Sequence, residues 1–80
     1  MRLPRDLSGT DLIKRLGRLG YVVTRQSGSH LRLTSTEHGE HHITVPRHDP
    51  LRVGTLAAVL DSVAAHHHIS RDTLLERLFN

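Results

Sequence analysis

Between Leu19 and Tyr21 the spacing of apolar residues changes, and that change limits what the chain can fold into. Leu12, Ile13, Leu16 and Leu19 recur three and four residues apart, with Lys14, Arg15 and Arg18 on the other side. This is the period of an amphipathic helix. Ser8 predicts an N-cap, Asp11 an acid in the first turn, and Gly20 the C-terminal stop, giving a helix over 9–19. From Tyr21 the period is two. Tyr21-Val22-Val23-Thr24-Arg25 suits a strand, and Ser27-Gly28-Ser29 suits a turn. His30 to Thr34 alternates strictly, with Leu31 and Leu33 on one face and His30, Arg32 and Thr34 on the other. Glu37 to Glu40 predicts a second turn. His42-Ile43-Thr44-Val45 then alternates until Pro46 stops it.

The helical period returns after the loop from Arg47 to Val53. Leu56, Val59, Leu60 and Val63 predict a helix over 54–65, and Ser70 caps a third helix carrying Leu74, Leu75 and Leu78. The expected fold is therefore α+β, in the order α-β-β-β-α-α, with the helices packed on one face of a three-stranded antiparallel sheet. The other face stays open, and parity puts His30, Arg32, Thr34, His42 and Thr44 on it.

Eighty residues make one small domain, expected over 1–80. A core of that size rarely contributes more than ~3–5 kcal/mol. With no cysteine, neither a disulfide framework nor a thiolate metal site nor thiol catalysis is possible. No apolar run reaches the length of a membrane span and the start lacks a secretory signal, so a soluble cytoplasmic protein without membrane contact is expected.

Net charge is +3, and ten of the eleven cations are arginine, whose planar fork suits phosphate. An arginine-rich codon bias would give the same balance. Tyr21 and Phe79 are the only Phe, Tyr or Trp residues, which argues against stacking splayed bases on an aromatic platform. A nucleic acid here would be gripped by its backbone.

Among the eight histidines, His30 stands out. It opens a strand after Gly28-Ser29, with Arg32 two residues on, so a proton-exchanging imidazole lies beside a phosphate-binding cation. Gly28 permits close backbone approach and a left-handed φ. Arg25 and Arg32 flank the turn and read either as a positive rim around His30 or as a solvated basic face. Arg47-His48, in a loop stiffened by Pro46 and Pro50, suits phosphate contact or a supporting proton transfer. His38, His41 and His42 raise a metal reading, but His41 and His42 point to opposite faces and nothing completes the set, so no metal is expected. His66-His67-His68 are expected at a helix C-terminus, where positive charge suits the dipole. No serine-nucleophile elbow and no dinucleotide or phosphate-loop fingerprint is present.

Leu12-Ile13-Lys14-Arg15-Leu16, Leu19-Gly20-Tyr21, Arg25 to His30, Ile43 to His48, Gly54-Thr55-Leu56 with Val59-Leu60, and Ile69 to Asp72 follow one another in an order that covers about 8–78. In that order the chain resembles the HicA mRNA interferase toxins of prokaryotic toxin–antitoxin pairs. The resemblance implies a fold like a double-stranded-RNA-binding domain. It also implies that His30 is the catalytic residue of an RNA-cleaving toxin neutralised by a HicB-type antitoxin. The histidines of 35–42 and the His66-His67-His68 run depart from the family pattern, away from the central motif.

On this reading His30 is the general base on a ribose 2′-hydroxyl, and Arg32 or Arg25 steadies the charge on phosphate. Water or His48 is left as the acid. Arg25, Gly28, Ser29, Arg32, Arg47 and His48 are the expected RNA contacts. The expected partners are mRNA and the antitoxin, with no small-molecule cofactor. A non-catalytic RNA-binding module of the same fold, or a domain that binds only protein, would share this composition.

Overall fold

A computed structural model describes residues 3–80. Helix α1 (Gly9–Leu16) starts where the Ser8 Oγ accepts the Asp11 backbone N–H at 3.0 Å, leaving Leu12 and Leu16 inward. It tightens into a single 3-10 turn, Gly17–Leu19, and Gly20 at φ 81° turns the chain into the sheet.

Strands β1 (Val22–Ser27), β2 (His30–Ser35) and β3 (His41–Pro46) form one antiparallel sheet in the order β1-β2-β3. Leu31, Leu33, Ile43 and Val45 are buried, and His30, Arg32, His42 and Thr44 are exposed, as the alternation predicts. Helices α2 (Val53–His66) and α3 (Arg71–Phe79) complete the α-β-β-β-α-α order. The centre of the core is Leu12, Leu16, Leu33, Val45, Leu60, Val63, Leu74 and Leu78, contributed by all three helices and two strands. No helix among the described residues is long and apolar enough to cross a membrane.

Strand β1 departs from the pattern. None of its residues is buried, and Val22 is 61% exposed. The apolar anchor at this end of the sheet is Tyr21, one residue before the strand. Its register also slips between Val23 and Arg25, a bulge that alternation alone does not announce.

Two arginines, Arg15 of α1 and Arg18 of the 3-10 turn, are used up by the fold. Arg18 Nη1 donates to the carbonyls of Arg77, Leu78 and Asn80 at 2.8–3.1 Å, and Arg15 Nη1 to that of Leu78 at 3.0 Å. These are the carbonyls at the end of α3, which have no helical N–H to accept from, and the cations also suit its dipole. Arg71 is likewise engaged, by both oxygens of Asp61.

Candidate nucleic-acid interface

In an antiparallel sheet, residues opposite one another share a face. Register therefore sorts the open face into rows. Ser27, His30 and Pro46 form the row nearest the β1–β2 turn, and Arg25, Arg32 and Thr44 form the next, about 7 Å along the strands. Arg25 and Arg32 are thus direct cross-strand partners. Two cations opposite each other destabilise a strand pair. Neither has a carboxylate partner among the described residues. Like charges held together without an acid suit an anion.

The row beyond is occupied internally. Glu40 accepts from His42 Nε2 at 3.0 Å, His42 Nδ1 lies 2.8 Å from the Thr34 hydroxyl, and Thr34 lies 2.9 Å from that of Thr24. His42 is held by that chain, away from His30.

Gly28 has φ 57°, the left-handed geometry the turn requires, but a Cβ there would meet nothing. Its constraint is therefore the turn, since no protein backbone lies against it. Ser29, exposed beside it, accepts the Arg47 N–H through its carbonyl at 2.6 Å. That bond stitches the segment after β3 to the β1–β2 turn. Helix α1 holds the same segment from the other side, where the Gly9 N–H donates to the His48 carbonyl at 2.8 Å. The approach is so close that a Cβ on Gly9 would collide with the Pro46 carbonyl oxygen.

Pinned from both sides, His48 sits beside His30, with ring centroids 6.4 Å apart and planes at 70°. Both imidazoles are exposed. The structure thus assembles His30, His48, Arg25 and Arg32 at one end of the open face, with Arg47 exposed in the adjoining loop. Gly9 is the member that sequence reasoning missed. Nothing in the sequence distinguishes a glycine that admits a neighbouring backbone from one that merely sits in a helix.

His38, His41, His66 and His67 gather on the other side of the sheet. His41 and His42 do face opposite ways. His41 Nδ1 and His67 Nε2 lie 2.7 and 3.0 Å from the Tyr21 hydroxyl, and His41 stacks on His66 at 4.3 Å. Burial, and secondarily His66, hold His41 and His67 below the usual histidine pKa. Burial pushes Tyr21 up to about 12. His66 ends α2 and His67 caps it, the helix C-terminus expected for this run, but His67 is 5% exposed and its burial opposes the positive charge that the dipole would favour. Among the described residues no group of histidines and carboxylates has a geometry that could hold a metal ion.

A concavity of about 420 Å³ at the start of α1 is lined by Asp6, Asp11 and Asp49 against a single cation, Lys14, a balance that disfavours phosphate. The basic, open face is the better match to a polyanion.

The family model described as HicA toxin of bacterial toxin-antitoxin matches residues 9–64, from the start of α1 into the last turn of α2. The matched span contains the whole sheet, both anchors of the Pro46–His48 segment, and His30 with His48. No curated protein and no solved structure matches the chain.

Proposed function

The chain belongs to the HicA toxin family of bacterial toxin–antitoxin systems, and from that premise we propose that it is an endoribonuclease that cuts mRNA without a metal. As a toxin of such a pair it has an antitoxin partner, which on this reading is of the HicB type. Residues 1–80 act as one toxin domain in the cytoplasm, where the substrate is.

One observation carries the reading. An exposed imidazole lies one row from a cross-strand pair of arginines, neither of which is paired with a carboxylate among the described residues. The arginines hold a phosphodiester by its charged oxygens. His30 takes the proton of the neighbouring 2′-hydroxyl, turning it into the nucleophile. The turn at Gly28-Ser29 and the loop residues Arg47 and His48 border the same strand end and meet the flanking backbone. DNA lacks the 2′-hydroxyl and is spared. Because the nucleophile comes from the substrate and the proton acceptor from the protein, no metal-bound water is required.

Purified protein incubated with RNA and with a DNA of the same sequence, in excess EDTA, tests this. Cleavage of RNA alone, lost in His30→Ala, is the expected result. Salt-dependent binding without any product would make the protein an RNA-binding module instead.

A further inference from the structure

We infer that His48 is a second catalytic residue, the acid that protonates the leaving oxygen. The inference rests on the ribonuclease reading above and adds to it the group that completes the proton balance.

The fold gives His48 no other employment. Its backbone is held by Gly9, and the neighbouring Arg47 by Ser29. Its ring makes no hydrogen bond or ion pair among the described residues, and its one ring neighbour is His30. An imidazole that stabilises nothing, on a loop clamped from two sides, is placed with a precision that packing does not need.

The spacing suits the reaction. In an in-line displacement at phosphorus, the attacking and departing oxygens stand on opposite sides, so base and acid must flank the phosphate without touching each other. Ring centroids 6.4 Å apart are too distant for the two rings to hydrogen-bond directly, so each can meet a different oxygen of one phosphodiester.

The step balances within the pair. The 2′-hydroxyl proton passes to His30 as the O2′–P bond forms. The P–O5′ bond breaks, and O5′ takes the proton of the His48 imidazolium. The products are a 2′,3′-cyclic phosphate and a 5′-hydroxyl. His30 is left protonated and His48 neutral, and exchange with water restores both.

The test uses the whole chain and two short RNAs. One is natural. In the other the leaving oxygen at the linkage cut by the wild type is replaced by sulfur, which departs as a thiolate and needs no acid. His48→Ala and His48→Gln are both made, each checked by thermal melting, because the Gly9 bond uses only the backbone of residue 48. On natural RNA these variants should be slower by roughly 10²–10⁴-fold. On the sulfur-bridged RNA they should recover to within a few-fold of wild type, while His30→Ala should stay slow on both. Folded His48 variants that remain equally slow on both RNAs would overturn the acid role and leave the nuclease reading standing. Rescue of His30→Ala in their place would reverse the two roles and overturn the assignment. A wild type that cuts neither RNA would defeat the nuclease reading itself.

Discussion

The Nε2 of His67 lies 3.0 Å from the buried hydroxyl of Tyr21, and His41 Nδ1 approaches the same oxygen from the other side at 2.7 Å. One hydroxyl proton cannot serve two acceptors, so at least one ring presents an N–H to the tyrosine oxygen. Four imidazoles, His38, His41, His66 and His67, pack around this point, and two of them stack. Adding a proton to His41 or His67 charges a ring that burial and the neighbouring imidazoles both disfavour.

The pH dependence follows from the sign of those shifts. His41 and His67 are held below their ordinary value, so the unfolded chain binds protons that the folded chain refuses. The stability they contribute is complete above the unfolded pKa of about 6.5 and is lost as pH falls below it. Thermal melts at pH 8, 7, 6 and 5 should show a falling midpoint over that last interval, before carboxylates titrate. A midpoint flat or rising toward pH 5 would contradict the burial argument.

Removing the His30 side chain should cost function without costing fold. It is exposed and leaves no cavity, so His30→Ala should melt within about 0.5 kcal/mol of wild type. Its expression should no longer arrest growth. A folded His30→Ala protein that stays fully toxic would remove the catalytic assignment.

Arg25→Ala and Arg32→Ala should move stability and binding in opposite directions. Each relieves a like-charge cross-strand pair and should raise stability by about 0.2–1 kcal/mol. Each should also weaken RNA binding whatever the sequence and reduce the slope of log affinity against log salt by about 0.7 per lost phosphate contact. An unchanged slope in both variants would place the RNA elsewhere.

Gly9→Ala should be the damaging glycine substitution and Gly17→Ala the harmless one. A methyl at Gly9 meets the Pro46 carbonyl, so α1 or the loop must move, at a cost of about 1–3 kcal/mol. That movement carries His48 away from His30, and cleavage should fall as well. Gly17 has φ −56° and open space, where alanine should add about 0.4–1 kcal/mol through the unfolded state. Melting curves and a cleavage assay on both variants decide it.

Those two glycines also mark where the sequence stops being informative. Local chemistry was legible. Ser8 and Ser70 cap the helices they were expected to cap, and the parity of β2 and β3 placed His30, Arg32, His42 and Thr44 on the open face. Relations that depend on two distant segments were not. The meeting of His30 with His48 needs the Ser29–Arg47 and Gly9–His48 backbone bonds, and backbone atoms carry no sequence signal. The exposure of β1 depends on how far the helices reach across the sheet. The burial of His67 depends on Tyr21, far away in the chain, offering it a hydroxyl.

The antitoxin should carry acidic residues to the same face. Arg25 and Arg32 lie on the open side of the sheet without an acid of their own, and the chain carries a net charge of +3. Carboxylates from the partner would satisfy them and cover His30 and the 47–53 loop in one contact. Complementary charge acts chiefly on the encounter, so association should slow markedly with added salt while dissociation changes little. A partner that binds only the folded toxin also raises its melting temperature, by an amount that grows with partner concentration. Co-expression with the neighbouring reading frame, followed by stopped-flow association at two salt concentrations and melts of the complex, measures both effects. Chemical modification of His30 reads occlusion directly, and the site should be protected in the complex and reactive in the free toxin. If the complex forms, the melting temperature rises and RNA cleavage stops while His30 stays as reactive as before, the antitoxin covers another surface and inhibits from there.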